Sequence, residues 1–278
     1  MGMEQLSLEV STGEITGGLG LFLLFLSIVF ACGAQYTVLR LMNRSTLKQC
    51  HEVGGYYFSV VATLYAVLIG LVVFDAQSRF EDSKNNVETE AAAGMMVYIL
   101  SKSVPGPVGE SSRRHFEQYV NRVLDYEWTS MSRGSMDAGA RIALEEFSEG
   151  LTKFVPASSK DEITLDKIYD NLSLVWQMRR QRLDDMTYKI SNLEWTCILL
   201  GGATTIFFGF FFALENVALQ MVMSSILTLI ISLNVYLVYQ YGNPYSGEIH
   251  IAKTSFLVLQ DYMNQGKSVP QDHVNHGK

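Results

Sequence analysis

Four long stretches of the chain contain no Asp, Glu, Lys or Arg, and they constrain the fold more than any other feature. They cover residues 15–39, 53–74, 195–214 and 216–247 of the 278-residue chain. A helix needs about 20 apolar residues to cross the hydrocarbon core of a bilayer, which is about 30 Å thick. Each stretch holds that many, so the sequence predicts four transmembrane helices, over residues 17–38, 54–76, 193–214 and 218–241.

The charged residues are concentrated between the second and third of these helices. Only 18% of the chain is charged, against about 25% in soluble proteins, yet residues 79–192 hold 15 basic and 18 acidic side chains. We therefore predict a soluble domain over residues 77–192. It separates two membrane segments, 17–76 and 193–241, and the chain begins with an acidic segment, 1–16, and ends with a tail, 242–278.

The soluble domain has the periodicity of helices. The second membrane helix meets no Gly or Pro where it leaves the bilayer, so it is expected to continue to about Lys102, and further helices are predicted over residues 110–132 and 136–154. Ser159 and Glu162 form a capping-box pattern that opens a helix running through Arg182. No segment alternates with period two, so the fold class is an all-α integral membrane protein. Pro244 and Gly247 predict a turn that folds the tail back onto the soluble helices.

Four segments resemble one family of membrane proteins. They are YAVLIGLVVFDAQSRFEDSKNNVETEA at 65–91, DYEWTSM at 125–131, RRQRLDDMTYKISNLEWTCILLGG at 179–202 and NPYSGEI at 243–249. In order and spacing they are similar to the bestrophin-like family of bacterial membrane proteins, and the likeness covers most of residues 54–260. That family is distantly similar to bestrophins, pentameric anion channels whose second of four membrane helices lines the pore and whose termini and helical domain are cytosolic.

The resemblance implies a homo-oligomeric, anion-permeable channel in the bacterial inner membrane, with membrane lipids and inorganic ions as partners. It also implies that the soluble domain and the termini are cytoplasmic. The alternative is a non-conducting scaffold or sensor that binds a partner protein through its soluble helices.

The charge distribution alone leaves the orientation open. Arg40, Arg44 and Lys48 follow the first helix and would place the first loop in the cytoplasm and the soluble domain outside. The loop between the third and fourth helices, with Glu215 and Asn216, carries no base, which favours the opposite orientation. So do the basic residues near the membrane ends of the soluble domain: Arg79, Lys84, Arg179, Arg180, Arg182 and Lys189.

The second membrane helix carries a small and polar face. Its members recur at spacings of three and four: Ser59, Thr63, Ala66, Gly70, Phe74 and Gln77. In an oligomer this face could line a pathway, with Phe74 and Phe80 forming a hydrophobic constriction. Alternatively, the small residues only allow close helix packing, the role also expected of Gly201 and Gly202.

Charged residues near the membrane ends are candidates for an ion entrance. Asp75 and Arg79 stand four residues apart, as a functional pair or as a structural salt bridge, and Glu81 follows them. A second group, Arg179, Arg180 and Arg182, could bind lipid phosphates or attract anions. The alternative for that group is pairing with neighbouring carboxylates: Glu81, Asp82, Asp184 and Asp185.

Signals of catalysis are missing from the sequence. It contains no GxSxG, HExxH or CxxC motif and no phosphate-binding Gly loop. The three cysteines, Cys32, Cys50 and Cys197, lie in or beside membrane segments and do not form a zinc-binding pattern. We therefore predict no enzymatic activity, no cofactor and no metal. The net charge of −7 gives no reason to expect nucleic acid.

Overall fold

A computed structural model describes residues 2–42, 51–212, 214 and 216–268. Arg44, Lys48, Cys50 and Glu215 lie outside the described residues, as does the end of the tail from residue 269. Within the described ranges all regular structure is helical. The chain divides into two compact units, Met1–Phe80 with Lys189–His250, called the membrane unit here, and Glu81–Tyr188 with Ile251–Lys278, called the charged unit.

The membrane unit contains α1 (Gly2–Leu41), the first part of α2 (His51–Ser101), α7 (Asn192–Gly209) and α8 (Val217–Tyr241). α1 and α8 are antiparallel: the Ser27 and Ser232 hydroxyls are 2.9 Å apart, and Cys32 Sγ is 3.2 Å from Ser225 Oγ. Three helices have the length and hydropathy of membrane spans, Gly20–Leu41, Val53–Ser101 and Val217–Tyr241. They contain most of the predicted spans 17–38, 54–76 and 218–241.

The predicted span 193–214 corresponds to α7, which is shorter than expected. A capping box begins it, because Ser191 Oγ accepts from the Glu194 N–H at 3.1 Å and the Glu194 carboxylate accepts from the Ser191 N–H at 2.9 Å. The helix ends after 18 residues at Gly209, where Phe210, Phe211 and Phe212 continue as tight turns. Asn216 then caps α8 by accepting from the Ala218 N–H at 3.0 Å.

The charged unit contains the second part of α2 and the helices between Gly106 and Thr187. These are α3 (Gly106–Arg122), a π-helical turn (Val123–Glu127), α4 (Trp128–Met131), α5 (Ala138–Thr152) and α6 (Ser159–Thr187). As the sequence indicated, α2 continues to Ser101. The expected helix over 110–132 is present, but the π-helical turn interrupts it. Phe116 of α3 packs against Phe147 of α5 with ring centroids 5.2 Å apart, at the centre of this unit.

The start of α6 corrects the sequence-based assignment by one residue. The N-cap is Ser158 and not Ser159, and its hydroxyl accepts from the Asp161 N–H at 3.3 Å. The predicted partner Glu162 therefore has no part in the cap. α6 runs through Arg182 to Thr187, as predicted, and residues 188–191, with Tyr188 extended, separate it from α7.

The tail forms a further helix, α9 (Thr254–Ser268), which belongs to the charged unit. Phe256, Leu259 and Met263 of α9 are buried, and the Phe256 ring lies 6.1 Å from that of Trp128. A turn precedes the helix, with Gly247 at a φ of 101°, a conformation that favours glycine. The helical part of the tail thus completes the core of the charged unit, in agreement with the prediction that the tail folds back onto the soluble helices.

Candidate functional site

One face of the membrane part of α2 is packed inside the membrane unit. Tyr65, Ile69 and Ala76 are buried there at spacings of four and seven. A Cβ added at Gly201 of α7 would lie 2.7 Å from the Tyr65 ring, and one at Gly202 would lie 2.9 Å from its hydroxyl. The two glycines therefore let α7 approach α2 closely, which agrees with the role expected for them.

The predicted small and polar face lies about 120° around α2 from the packed face, and it is exposed in the single chain. All six of its members are exposed: Ser59, Thr63, Ala66, Gly70, Phe74 and Gln77. A Cβ added at Gly70 would have no neighbour within 4 Å, so close packing inside the protomer does not account for this glycine. Phe74 is 70% exposed. The Thr63 hydroxyl donates to the Ser59 carbonyl at 2.8 Å, so the helix itself satisfies that donor.

Phe80 does not share this face, in contrast to the expectation that it would stand with Phe74. It is buried, and its ring contacts that of Tyr241 edge to face at a centroid distance of 5.5 Å. The physical reason is helical geometry, because six residues after Phe74 the helix has turned by about 600°, well away from the face that Phe74 occupies.

The charged pair at the end of the predicted span forms a salt bridge. Arg79 Nε donates to Asp75 Oδ2 at 2.9 Å, and both side chains are about half exposed. An exposed i, i+4 pair of this kind contributes about 0.3–0.5 kcal/mol. Glu81 is also exposed, with Lys84 Nζ 3.8 Å from its carboxylate.

The three arginines of α6 have different environments, and two of them differ from both sequence-based interpretations. Arg180 is exposed and lies 4.0 Å from Asp184. Arg179 and Arg182 are buried in the charged unit, where neither can attract anions from solvent. Their partners are Glu127 and Glu90, not the four carboxylates that the sequence suggested.

Arg182 is the centre of this buried network. Its Nε donates to Glu90 Oε2 at 2.6 Å and its Nη2 to Glu90 Oε1 at 3.0 Å, a bidentate pair. The rings of Trp128 and Phe256 lie 5.8 and 5.7 Å from the guanidinium carbon, within the range of cation–π contacts. Burial alone would lower the pKa of Arg182, but Glu90 and Glu127 raise it well above its ordinary value, so the side chain stays charged.

Three more residues complete the network. Arg179 Nη2 donates to Glu127 Oε1 at 2.7 Å, while Glu127 Oε2 lies 3.7 Å from Arg182. The Tyr119 hydroxyl donates to Glu90. Two cations therefore balance two carboxylates. Burial raises the pKa of Glu127 above its ordinary value, although Arg182 and Arg179 lower it. Burial and the neighbouring Glu90 raise that of Tyr119.

Sequence reasoning missed Glu90, Tyr119 and Glu127, although one signal pointed to each of the two carboxylates. Glu90 lies on the apolar stripe of Val87, Ala91 and Gly94, which indicates a carboxylate facing the core. Glu127 lies in the segment DYEWTSM that carried part of the family resemblance, and it ends the π-helical turn. Such turns are frequent at functional sites.

No group of three His, Cys, Asp or Glu side chains is arranged to hold a metal ion in the ranges that the structure describes. The features that stand out are the exposed face of α2 and the buried network. Together with three helices of membrane-spanning character, they define an all-helical integral membrane protein with a charged helical unit.

Comparison with known proteins identifies the family. A model of the Bestrophin-like domain matches residues 25–256, and the chain belongs to this family. A bacterial bestrophin homolog from Klebsiella pneumoniae has a similar fold, with a TM-score of 0.65 at 12% identity over 90% of this chain and 99% of that chain. A variant of the same protein gives a TM-score of 0.66 at 10% identity, with the same coverage. No curated protein sequence matches the chain.

Proposed function

We propose that the protein is a homo-oligomeric, anion-permeable ion channel whose pore is lined by the membrane part of α2. The observation that carries this proposal is the division of α2 into a packed face around Tyr65 and an exposed face with Ser59, Thr63 and Gly70. Hydroxyls and glycines gain little from contact with lipid chains, whereas a ring of them around an axis suits a water-filled path.

Several copies are needed, because one protomer has too few membrane helices to enclose a wide path. We count α7 as the fourth span, since its 18 residues make a rod of about 27 Å, close to the thickness of the hydrocarbon core. Bestrophins are pentamers, and membership in the Bestrophin-like family supports five copies. Closed symmetry is also the rule for homo-oligomers.

The proposed location is the bacterial inner membrane, with the charged unit and the termini in the cytoplasm. Basic residues near the membrane support this orientation: Arg79, Lys84, Arg180 and Lys189 are all exposed. The loop before α8 has no Lys or Arg.

The preference for anions rests on the family and on Arg79. Arg79 is turned by about 140° from Phe74 around α2, so in an oligomer its copies would surround the mouth of the pore and not its lining, where their positive charge would attract anions. Asp75 lies 2.9 Å from Arg79 and would form a second ring of opposite charge. The selectivity is therefore expected to depend on the balance of these two residues.

Substituted cysteines test which face of α2 meets water. In a background with Cys32, Cys50 and Cys197 replaced by Ser, Thr63→Cys and Leu64→Cys are reconstituted separately into vesicles. Both positions are exposed in the protomer but differ by about 100° around the helix. A membrane-impermeant, sulfonate-bearing thiol reagent should inhibit chloride flux in Thr63→Cys and leave the flux of Leu64→Cys unchanged.

The outcomes separate the proposal from its alternative. Equal inhibition at both positions, or inhibition at Leu64→Cys only, would reject this face as the pore lining. A monomer in detergent with no ion flux above that of empty vesicles would overturn the channel itself and favour a non-conducting scaffold.

A further inference from the structure

A groove runs along the membrane unit between α1, α7 and α8. Its volume is about 580 Å³, within the range of ligand-binding cavities. Leu24, Ile198, Ile206 and Val235 give it an apolar wall. The hydroxyls on that wall at Ser27 and Ser232 are 2.9 Å apart and bond to each other. We propose that this groove binds an acyl chain of a membrane phospholipid whose head group carries a primary amine that contacts Glu248.

The length of the groove fits one leaflet of a bilayer. Its lining residues extend from Gly20 to Ala34 on α1 and from Thr228 to Gln240 on α8. At 1.5 Å per residue these segments are about 21 and 18 Å long. Half of a bilayer with its head groups is about 20–22 Å thick, so a lipid in the groove would have its head group at one end and its chain along the apolar wall.

The end near Gln240 has the character of the membrane–water interface. Trp195, Tyr236 and Tyr239 line the groove there, and Trp and Tyr prefer the depth of the lipid head groups. At this end α1 lies so close to α8 that a Cβ added at Gly20 would be 2.6 Å from the Tyr236 ring. The head group is therefore expected beside Tyr236 and Gln240.

The polar groups at this end favour a cation. Glu248 Oε2 accepts from the Tyr236 hydroxyl at 2.7 Å and from Gln240 Nε2 at 3.3 Å, which holds an exposed carboxylate next to the groove. No salt bridge joins Glu248 to a basic side chain in the described part of the chain. An ammonium group complements this carboxylate, whereas a purely anionic head group would be repelled.

This charge complementarity distinguishes a lipid from a second copy of the chain as the occupant. A neighbouring protomer would cover the apolar wall, but it would not by itself place a cation beside Glu248 at the level of the lipid head groups. An amine-bearing phospholipid supplies the chain and the cation in one molecule. The inference is independent of ion conduction, since a scaffold in the membrane would bind the same lipid.

Native mass spectrometry of the detergent-purified full chain tests the site. The protein is titrated with phosphatidylethanolamine and, separately, with phosphatidylglycerol of the same acyl chains. The wild type should bind phosphatidylethanolamine about fivefold more tightly, the equivalent of one charge-assisted contact. Glu248→Gln should bring this ratio close to one, because it weakens the binding of phosphatidylethanolamine and removes the repulsion of phosphatidylglycerol.

A second pair of variants tests the groove itself. Ala203 lines it and is exposed, so Ala203→Phe should weaken the binding of both lipids, whereas Thr204→Phe, at an exposed neighbour outside the lining, should not. Thermal unfolding monitored by circular dichroism checks that each variant is folded.

Three results would overturn the proposal. They are an unchanged lipid ratio in Glu248→Gln, equal lipid binding in Ala203→Phe and wild type, and efficient disulfide cross-linking between two copies of Leu23→Cys. The last would show that a second copy covers the groove.

Discussion

Arg182 illustrates how a charge is kept in a protein core. Taking an ion pair out of water costs several kcal/mol per ion, and good geometry is needed to offset that cost. The Arg182 side chain is 0% exposed. It makes a bidentate contact with Glu90, lies near a second carboxylate, that of Glu127, and is flanked by two aromatic rings. Removing one member would leave its partner charged, buried and unpaired.

Replacement of Arg182 is therefore expected to be strongly destabilising. Arg182→Met should lower the free energy of unfolding by about 3–5 kcal/mol, the typical cost of an orphaned buried charge. Arg180→Met is the matched control, because the side chain of Arg180 is 85% exposed and lies 4.0 Å from Asp184, and it should cost no more than about 0.5 kcal/mol. Thermal and denaturant unfolding in detergent measure both, and similar losses in the two variants would contradict a role for burial.

The Asp75–Arg79 salt bridge makes a second prediction, which concerns selectivity. Asp75→Asn would remove the negative charge that lies 2.9 Å from Arg79 Nε, so the permeability ratio of chloride to potassium should rise by about fivefold, the equivalent of one exposed charge at close range. Arg79→Gln should lower the ratio. Reversal potentials in a KCl gradient measure it, and Asp75→Glu, which keeps the charge, should not change it. A ratio that is the same in all three variants would place this pair outside the pathway.

The helix α2 has one packed face and one exposed face, and substitutions at two glycines, Gly201 of α7 and Gly70 of α2, distinguish the two faces. Gly201→Ala in α7 would put a Cβ 2.7 Å from the buried Tyr65 ring, an overpacking that costs about 1–3 kcal/mol. Gly70→Ala on the exposed face meets nothing within 4 Å and should not lower the stability of the protomer. Melting temperatures in detergent check this difference.

A double variant identifies the cause. Tyr65→Leu combined with Gly201→Ala should cost less than the sum of the two single changes, because the clash partner is gone. Additive losses would show that the space above Gly201 is not what limits the packing of α7 against α2.

The sequence predicted the helices better than it predicted the tertiary contacts between side chains. The membrane helices could be found because long charge-free stretches have few other solutions. The pairing of Arg179 and Arg182 could not be found from nearby carboxylates, because their partners lie 52 and 92 residues away in sequence and only tertiary packing brings them together. The error at the cap of α6 has a local cause, since Ser158 and Ser159 are adjacent and carry equivalent capping patterns with Asp161 and Glu162.

On the scale of the whole molecule, the partition of charge along the chain matches the partition into two units. The apolar windows fall in the membrane unit, and the charge-rich stretch makes up most of the charged unit. The tail is the exception. Its apolar residues Phe256, Leu259 and Met263 recur at spacings of three and four and are buried in the charged unit. An apolar stripe by itself does not specify its partner, but the turn expected at Pro244 and Gly247 predicted that the tail would join the soluble helices.

An assembly around the exposed face of α2 would bring Phe74 of every copy to the same level of the axis, which makes Phe74 the test of the whole oligomer. A ring of phenylalanines narrows and dries a pore, so Phe74→Ala should increase anion flux in vesicles severalfold while leaving the stability of the protomer almost unchanged, since the side chain is 70% exposed. Phe80→Ala is the matched control six residues away. It should remove the contact with Tyr241 and cost about 3 kcal/mol or more without opening the pore. If Phe80→Ala raised the flux and Phe74→Ala did not, the axis would have to run along another side of α2.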